Sequence, residues 1–133
     1  MANTKANQYV PGVCNIGEIE ATNRRKMAMN AAVVTILLWA SLLILGAPTF
    51  AFVLVALPGF VAATAYMQSK QRFCAGFGAE GLYNFSDELG KTQKAANADD
   101  RAKDKKKAIS ITVNAALAGT ALAAVAAGTS LLV

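Results

Sequence analysis

Residues 27–69, MAMNAAVVTILLWASLLILGAPTFAFVLVALPGFVAATAYMQS, contain no Asp, Glu, Lys or Arg over 43 positions. One membrane-crossing helix needs about 20 apolar residues, so this run has room for two crossings and a tight turn. The turn is Gly46-Ala47-Pro48-Thr49, where a glycine ends one helix and a proline suits the first turn of the next. The first crossing is expected over residues 29–46, inside a helix that starts near Thr22, and the second over residues 48–69. Pro58 falls mid-way along the second crossing. It has no N–H and clashes with the preceding turn, which predicts a kink there.

Working outward, the chain is free of charge again after Lys107. Residues 108–132 read as a third crossing, rich in alanine. Ala and Thr contribute little insertion energy beside Leu or Phe, so this segment is expected to depend on protein neighbours. Its small residues recur four apart in two stripes, Ala116, Thr120, Ala124, Gly128 and Ala115, Gly119, Ala123. Such spacing lets helix backbones approach closely. The partner is either the hairpin of the same chain or a second subunit. Ala116, Gly119, Thr120, Ala123, Ala124 and Gly128 are therefore the candidate helix-packing interface. The expected fold class is an all-α membrane protein. It has a helical hairpin, a third Ala-rich helix and a cytoplasmic cap, and residues 1–133 form one integral membrane domain.

The averages agree with this map. A chain of 133 residues, 55% hydrophobic and 16% charged, departs from soluble domains, which hold about 45–50% apolar and about 25% charged residues. All thirteen basic and eight acidic residues lie in two stretches, 1–26 and 70–107. Cytoplasmic loops carry the excess of Lys and Arg. With three crossings every basic residue falls on one side, so residues 1–28 and 70–107 are expected in the cytoplasm. The turn at Gly46 and the C-terminal Val133 are then outside a bacterial cytoplasmic (inner) membrane. A cleavable signal peptide fits poorly, because the leader is long, contains Glu18 and Glu20, and precedes too long an apolar run. Lys103, Lys105, Lys106 and Lys107 mark the orientation. They are also candidate contacts to anionic lipid headgroups, at about 1 kcal/mol per basic residue near the surface.

The chain has no histidine, which removes Ser-His-Asp and Cys-His catalysis and every His-ligated metal or haem. The crossings hold no carboxylate to carry protons, and their polar residues suit hydrogen bonds between helices. Asn30 and Asn114, at the cytoplasmic ends of the first and third crossings, are placed to pair or to bind the loop. Cys14 and Cys74 flank the hairpin on the same side. They read as small buried hydrophobes, a redox pair, S-acylated juxtamembrane thiols, or metal ligands shared between two chains, since two thiolates are too few for a four-cysteine site. No cofactor and no nucleic-acid partner is expected. The G-x-G-x-x-G match at residues 76–81 lacks the strand and helix that give that motif its function. Residues 73–85 instead suit an interfacial lid of aromatics and glycines. Ser86 is expected to cap a polar helix with Asp87 and Glu88 in its first turn, ending at Gly90. Residues 97–107 are expected to run on into the third crossing, with Asp99–Lys103 spaced i,i+4, as are Glu20–Arg24 ahead of the first.

The order Cys14-Asn15-Ile16-Gly17-Glu18-Ile19, a basic run, Phe73-Cys74, Gly76-Phe77-Gly78, Gly81, Asn84-Phe85 and Asp100-Arg101 resembles a family of small bacterial membrane proteins of unknown function. That family's first motif usually reads CNIGPxEI; here no proline follows Gly17 and the segment is shorter. The resemblance implies a cytoplasmic-membrane protein whose motifs gather on the cytoplasmic face, and it implies no activity, substrate or cofactor. The expected function is non-enzymatic: a self-associating protein, or an accessory subunit of a larger membrane complex, with the lipid bilayer as its other partner. The alternatives are a thiol redox or metal-binding protein using Cys14 and Cys74, and a small oligomeric channel or transporter.

Overall fold

The structure is a computed structural model and describes residues 8–133; the first seven residues of the expected N-terminal segment lie outside it. Helix α1 spans Glu18–Ile44, so it starts four residues before the expected Thr22. Glu18 and Glu20 occupy its first turn, where carboxylates complement the positive end of the helix dipole. The chain then reverses at residues 45–48. After Pro48 comes a 3-10 helix, Thr49–Val55, which passes directly into α2, Ala56–Gln71. The irregularity expected at Pro58 takes this form. Pro58 cannot donate to the carbonyl of Leu54, so the tighter winding persists up to that position and α-helical bonding takes over afterwards.

A short helix α3, Ala75–Glu80, follows α2. Strand β1, Leu82–Tyr83, pairs antiparallel with β2, Gln93–Lys94. The last element is α4, Ala98–Ser130, a single helix of 33 residues capped by the Asn97 side chain, which accepts from Asp100 N–H. At about 1.5 Å per residue it is roughly 50 Å long. Among the described residues, three helices are long and apolar enough to cross a membrane: Glu18–Ile44, Thr49–Gln71 and Ala98–Ser130. The middle one packs against both others.

Two features of the packing matter for function. First, large apolar side chains such as Ile36, Leu37, Val53, Leu57, Leu117 and Val125 point away from the protein. Helices that are apolar on the outside need an apolar solvent. Second, α4 buries Ala108, Ile111, Ala115, Gly119, Ala123 and Ala126. Of the two small-residue stripes, the one containing Ala115, Gly119 and Ala123 thus faces α2. A Cβ on Gly119 would lie 2.8 Å from the Ala56 carbonyl oxygen and 3.0 Å from Phe60 N, and Gly59 on the facing helix sits against Leu122 and Gly119. Ala116, Thr120, Ala124 and Gly128 are exposed. At the far end of the bundle, Trp39 Nε1–H donates to Thr129 Oγ1 at 2.9 Å, and Phe52, Val55 and Ala126 form a small core.

Several local expectations are corrected. Residues 86–90 form bends and turns, not a helix capped by Ser86. Ser86 N–H and Oγ–H both donate to Asn84 Oδ1, and Glu88 N–H donates to Ser86 Oγ, so side-chain turns replace the helix. Asn30 and Asn114 are exposed and form no side-chain hydrogen bond among the described residues. Glu20–Arg24 forms an ion pair at 3.8 Å, whereas Asp99–Lys103 is not among the ion pairs of the described residues.

Candidate functional site

Every basic residue of the described chain belongs to one end of the bundle, where the start of α1, the end of α2 and the start of α4 meet. The segment ahead of α1 and the chain between α2 and α4 fold onto this end. Two asparagines join them. Asn15 Oδ1 accepts from Cys74 N–H at 2.6 Å while Asn15 Nδ2–H donates to the Cys74 carbonyl at 3.1 Å. One side chain thus completes both backbone groups of a residue 59 positions away. The backbone of residues 15–17 also pairs on both sides: Asn15 and Ile16 N–H donate to the Arg72 carbonyl, Asn84 N–H to the Asn15 carbonyl, and Gly17 N–H to the Asn84 carbonyl. Asn84 is the second node. Its Nδ2–H groups donate to Glu20 Oε1 and to the Glu88 carbonyl, both at 2.9 Å. Glu20 is 3% exposed, and its Oε1 also accepts from Gly90 N–H at 2.6 Å. Buried polar groups are costly unless paired, and here the pairing defines one arrangement of three chain segments.

α4 contributes Asp104. It is fully buried although its three nearest charged neighbours in sequence are lysines. Its Oδ2 accepts from Tyr9 Oη–H at 2.5 Å and its Oδ1 from Gly12 N–H at 2.8 Å. The leading segment is thereby held across the root of α4. Tyr9 stacks on Tyr83 with ring centroids 4.4 Å apart. Burial first, and then donation to the Asp104 carboxylate, raise the Tyr9 phenol well above its ordinary range. Gly78 lets α3 approach this point, since a Cβ there would lie 2.6 Å from the Phe73 ring and 3.0 Å from the Asp104 carbonyl oxygen. Gly78 of the 76–81 segment therefore serves close helix packing.

No family model, no curated protein and no solved structure matches the chain. The geometry itself therefore carries the functional reading. Both thiols are buried and free, and they engage different groups. Cys14 Sγ–H donates to the Gln8 carbonyl at 3.1 Å, and burial raises its pKa. Cys74 Sγ accepts from Arg24 at 3.2 Å. No cluster of three metal-ligating side chains occurs among the described residues. The four lysines divide: Lys103, Lys106 and Lys107 line an open groove of about 380 Å³ with Pro11, Gly12 and Ser110, while Lys105 edges a separate, largely apolar groove between α3 and α4.

Sequence reasoning gave Asp104 no role, met Asn15 and Asn84 only as members of the resembled motifs, and read Glu20 only as a leader acid and the i,i+4 partner of Arg24. A signal for Asp104 was present. Asp104 lies four residues before Ala108, seven before Ile111 and eleven before Ala115, in phase with the buried stripe of α4.

Proposed function

We propose that this protein is a non-enzymatic, three-helix component of the bacterial cytoplasmic membrane that self-associates through the outer face of α4. The N-terminal segment and residues 70–107 then form a cytoplasmic cap, Val133 lies outside, and Lys103, Lys105, Lys106 and Lys107 meet anionic headgroups. The resemblance to small bacterial membrane proteins agrees with this location. One observation carries the reading. α4 has two small-residue faces; α2 covers one, and Ala116, Thr120, Ala124 and Gly128 remain exposed. Against lipid alone, large side chains serve as well as small ones, whereas helices that meet closely need small ones.

The test separates the two faces. A Cβ on Gly128 would meet nothing within 4 Å, whereas one on Gly119 would meet backbone. Gly128→Leu and Ala124→Leu are expected to abolish cross-linked oligomers of the full chain in mild detergent while leaving its helicity intact. Unchanged cross-linking in both refutes self-association through this face. Mass spectrometry of the same mild-detergent extract distinguishes a second copy from other subunits of a larger complex. A reporter fused after Val133 that is active only in the cytoplasm refutes the orientation.

A further inference from the structure

Arg24 and Arg72 each keep one buried donor without a hydrogen-bond partner among the described residues, but Arg72 also grips Glu18, whereas the acid nearest Arg24, Glu20, stands farther off. The unpartnered donor of Arg24 is its Nε–H. Its other donors meet poor acceptors: NH1 reaches Met27 Sδ at 3.5 Å, and NH2 reaches Cys74 Sγ at 3.2 Å. The one carboxylate nearby, Glu20 Oε2, is 3.8 Å away, and Glu20 Oε1 is already shared by Asn84 and Gly90. A guanidinium presents five donors in a planar fork suited to an oxyanion. Leaving such donors buried and unmet is costly.

Arg24 also lines a largely apolar cavity of about 120 Å³ between α1 and α2, with Met27, Phe60, Val61, Thr64 and Gln68. Gln68 is 8% exposed, and its side chain has no hydrogen bond among the described residues. Thr64 Oγ1 is occupied by the Phe60 carbonyl. The polar part of the cavity is thus Arg24 and the Gln68 amide. Its remaining wall is apolar and reaches the outer surface at Val61, which is 40% exposed. Arg24 stands three residues before the charge-free run begins.

We propose that this cavity is a phosphate site, with the Arg24 fork and the Gln68 amide holding the phosphate oxygens. A lipid phosphate seated here lays its chains along Phe60 and Val61; a free phosphate uses the same two side chains. Only the lipid source rests on the membrane reading. The site is distinct from the groove of Lys103, Lys106 and Lys107.

The experiment uses the full chain in a neutral detergent and follows its thermal unfolding. Four additives are titrated: a short-chain phosphatidylglycerol, a short-chain phosphatidic acid, inorganic phosphate and a phosphate-free short-chain diacylglycerol. Ligand that binds only the folded state raises the unfolding temperature with concentration. The phosphate-bearing lipids are expected to raise it and the diacylglycerol to leave it unchanged. A rise with inorganic phosphate as well assigns a free anion as a sufficient ligand. Arg24→Gln is expected to weaken the effect about tenfold or more, as loss of a charge-assisted pair does, and Arg24→Lys to weaken it less. Lys91→Gln, which removes an exposed charge of the same sign, is expected to leave it unchanged. If Arg24→Gln does not fold, Gln68→Ala is expected to weaken binding several-fold and stands in its place. The proposal is overturned by an equal response to diacylglycerol, by no response to any phosphate, or by an effect that tracks Lys106→Gln and not Arg24→Gln. Cross-linking of the same samples reports assembly independently.

Discussion

Gly119→Ala adds one methyl group at the closest approach of α2 and α4. The new Cβ would stand 2.8 Å from the Ala56 carbonyl oxygen, 3.0 Å from Phe60 N and 3.1 Å from Phe60 Cα. All three are backbone atoms, so no change of rotamer relieves them. Ordinary contact for a Cβ begins near 3.4 Å. The helices must therefore separate by about 0.6 Å, the difference between 3.4 and 2.8 Å. A gap of that order forfeits about a quarter to a half of each dispersion contact it opens. Overpacking of this kind costs about 1–3 kcal/mol. Gly128→Ala meets nothing within 4 Å and is expected to change stability by no more than about 0.5 kcal/mol. Unfolding of the full chain in detergent, followed by circular dichroism at several protein concentrations, measures both and separates folding from association. A Gly119→Ala variant as stable as the parent, or a Gly128→Ala variant that costs more than Gly119→Ala, refutes the assignment of the two faces.

Asp104→Ala leaves Tyr9 Oη and Gly12 N–H without their acceptor, at about 1–3 kcal/mol for each buried donor, and limited proteolysis within residues 8–13 is expected to accelerate; unchanged cleavage argues against the contact. Asn15→Ala removes the acceptor of Cys74 N–H and one of the two donors to its carbonyl, the other being Gly78 N–H, so alkylation of Cys74, read by peptide mass, is expected to quicken, and an unchanged rate counts against the joint. Tyr9 is held with its phenol raised above the ordinary 10.0 by burial and by Asp104. A raised folded value means its contribution to stability is complete below about pH 10 and is lost as pH rises through the folded value. Tyr9→Phe is expected to remove the last step of a spectrophotometric tyrosine titration; its persistence shows that another tyrosine carries that step.

The number and length of the apolar helices were legible because charge is absent over residues 27–69 and after Lys107, and no soluble fold needs that. The start of α1 was hidden because Glu20 reads as solvated leader while Asn84 and Gly90 bury it. Residues 86–90 carry helix-start chemistry at Ser86, Asp87 and Glu88, yet the same hydroxyl and acids suit turns, and Asn84 decides between them. The two stripes of α4 are equivalent by composition. Gly59 on α2 breaks the tie, and that is a tertiary fact.

The asparagine joints link residues 15–90 only, whereas Tyr9 and Gly12 wait for Asp104. During synthesis, residues emerge in order from the N-terminus. Every partner that the hairpin's joints require is therefore made before α4 exists. α4, poor in strongly apolar side chains, meets the hairpin at Gly59, where its backbone comes close. The leading segment stays unfastened until residue 104 arrives, so its fastening is a chemical record that the last helix has been made and seated.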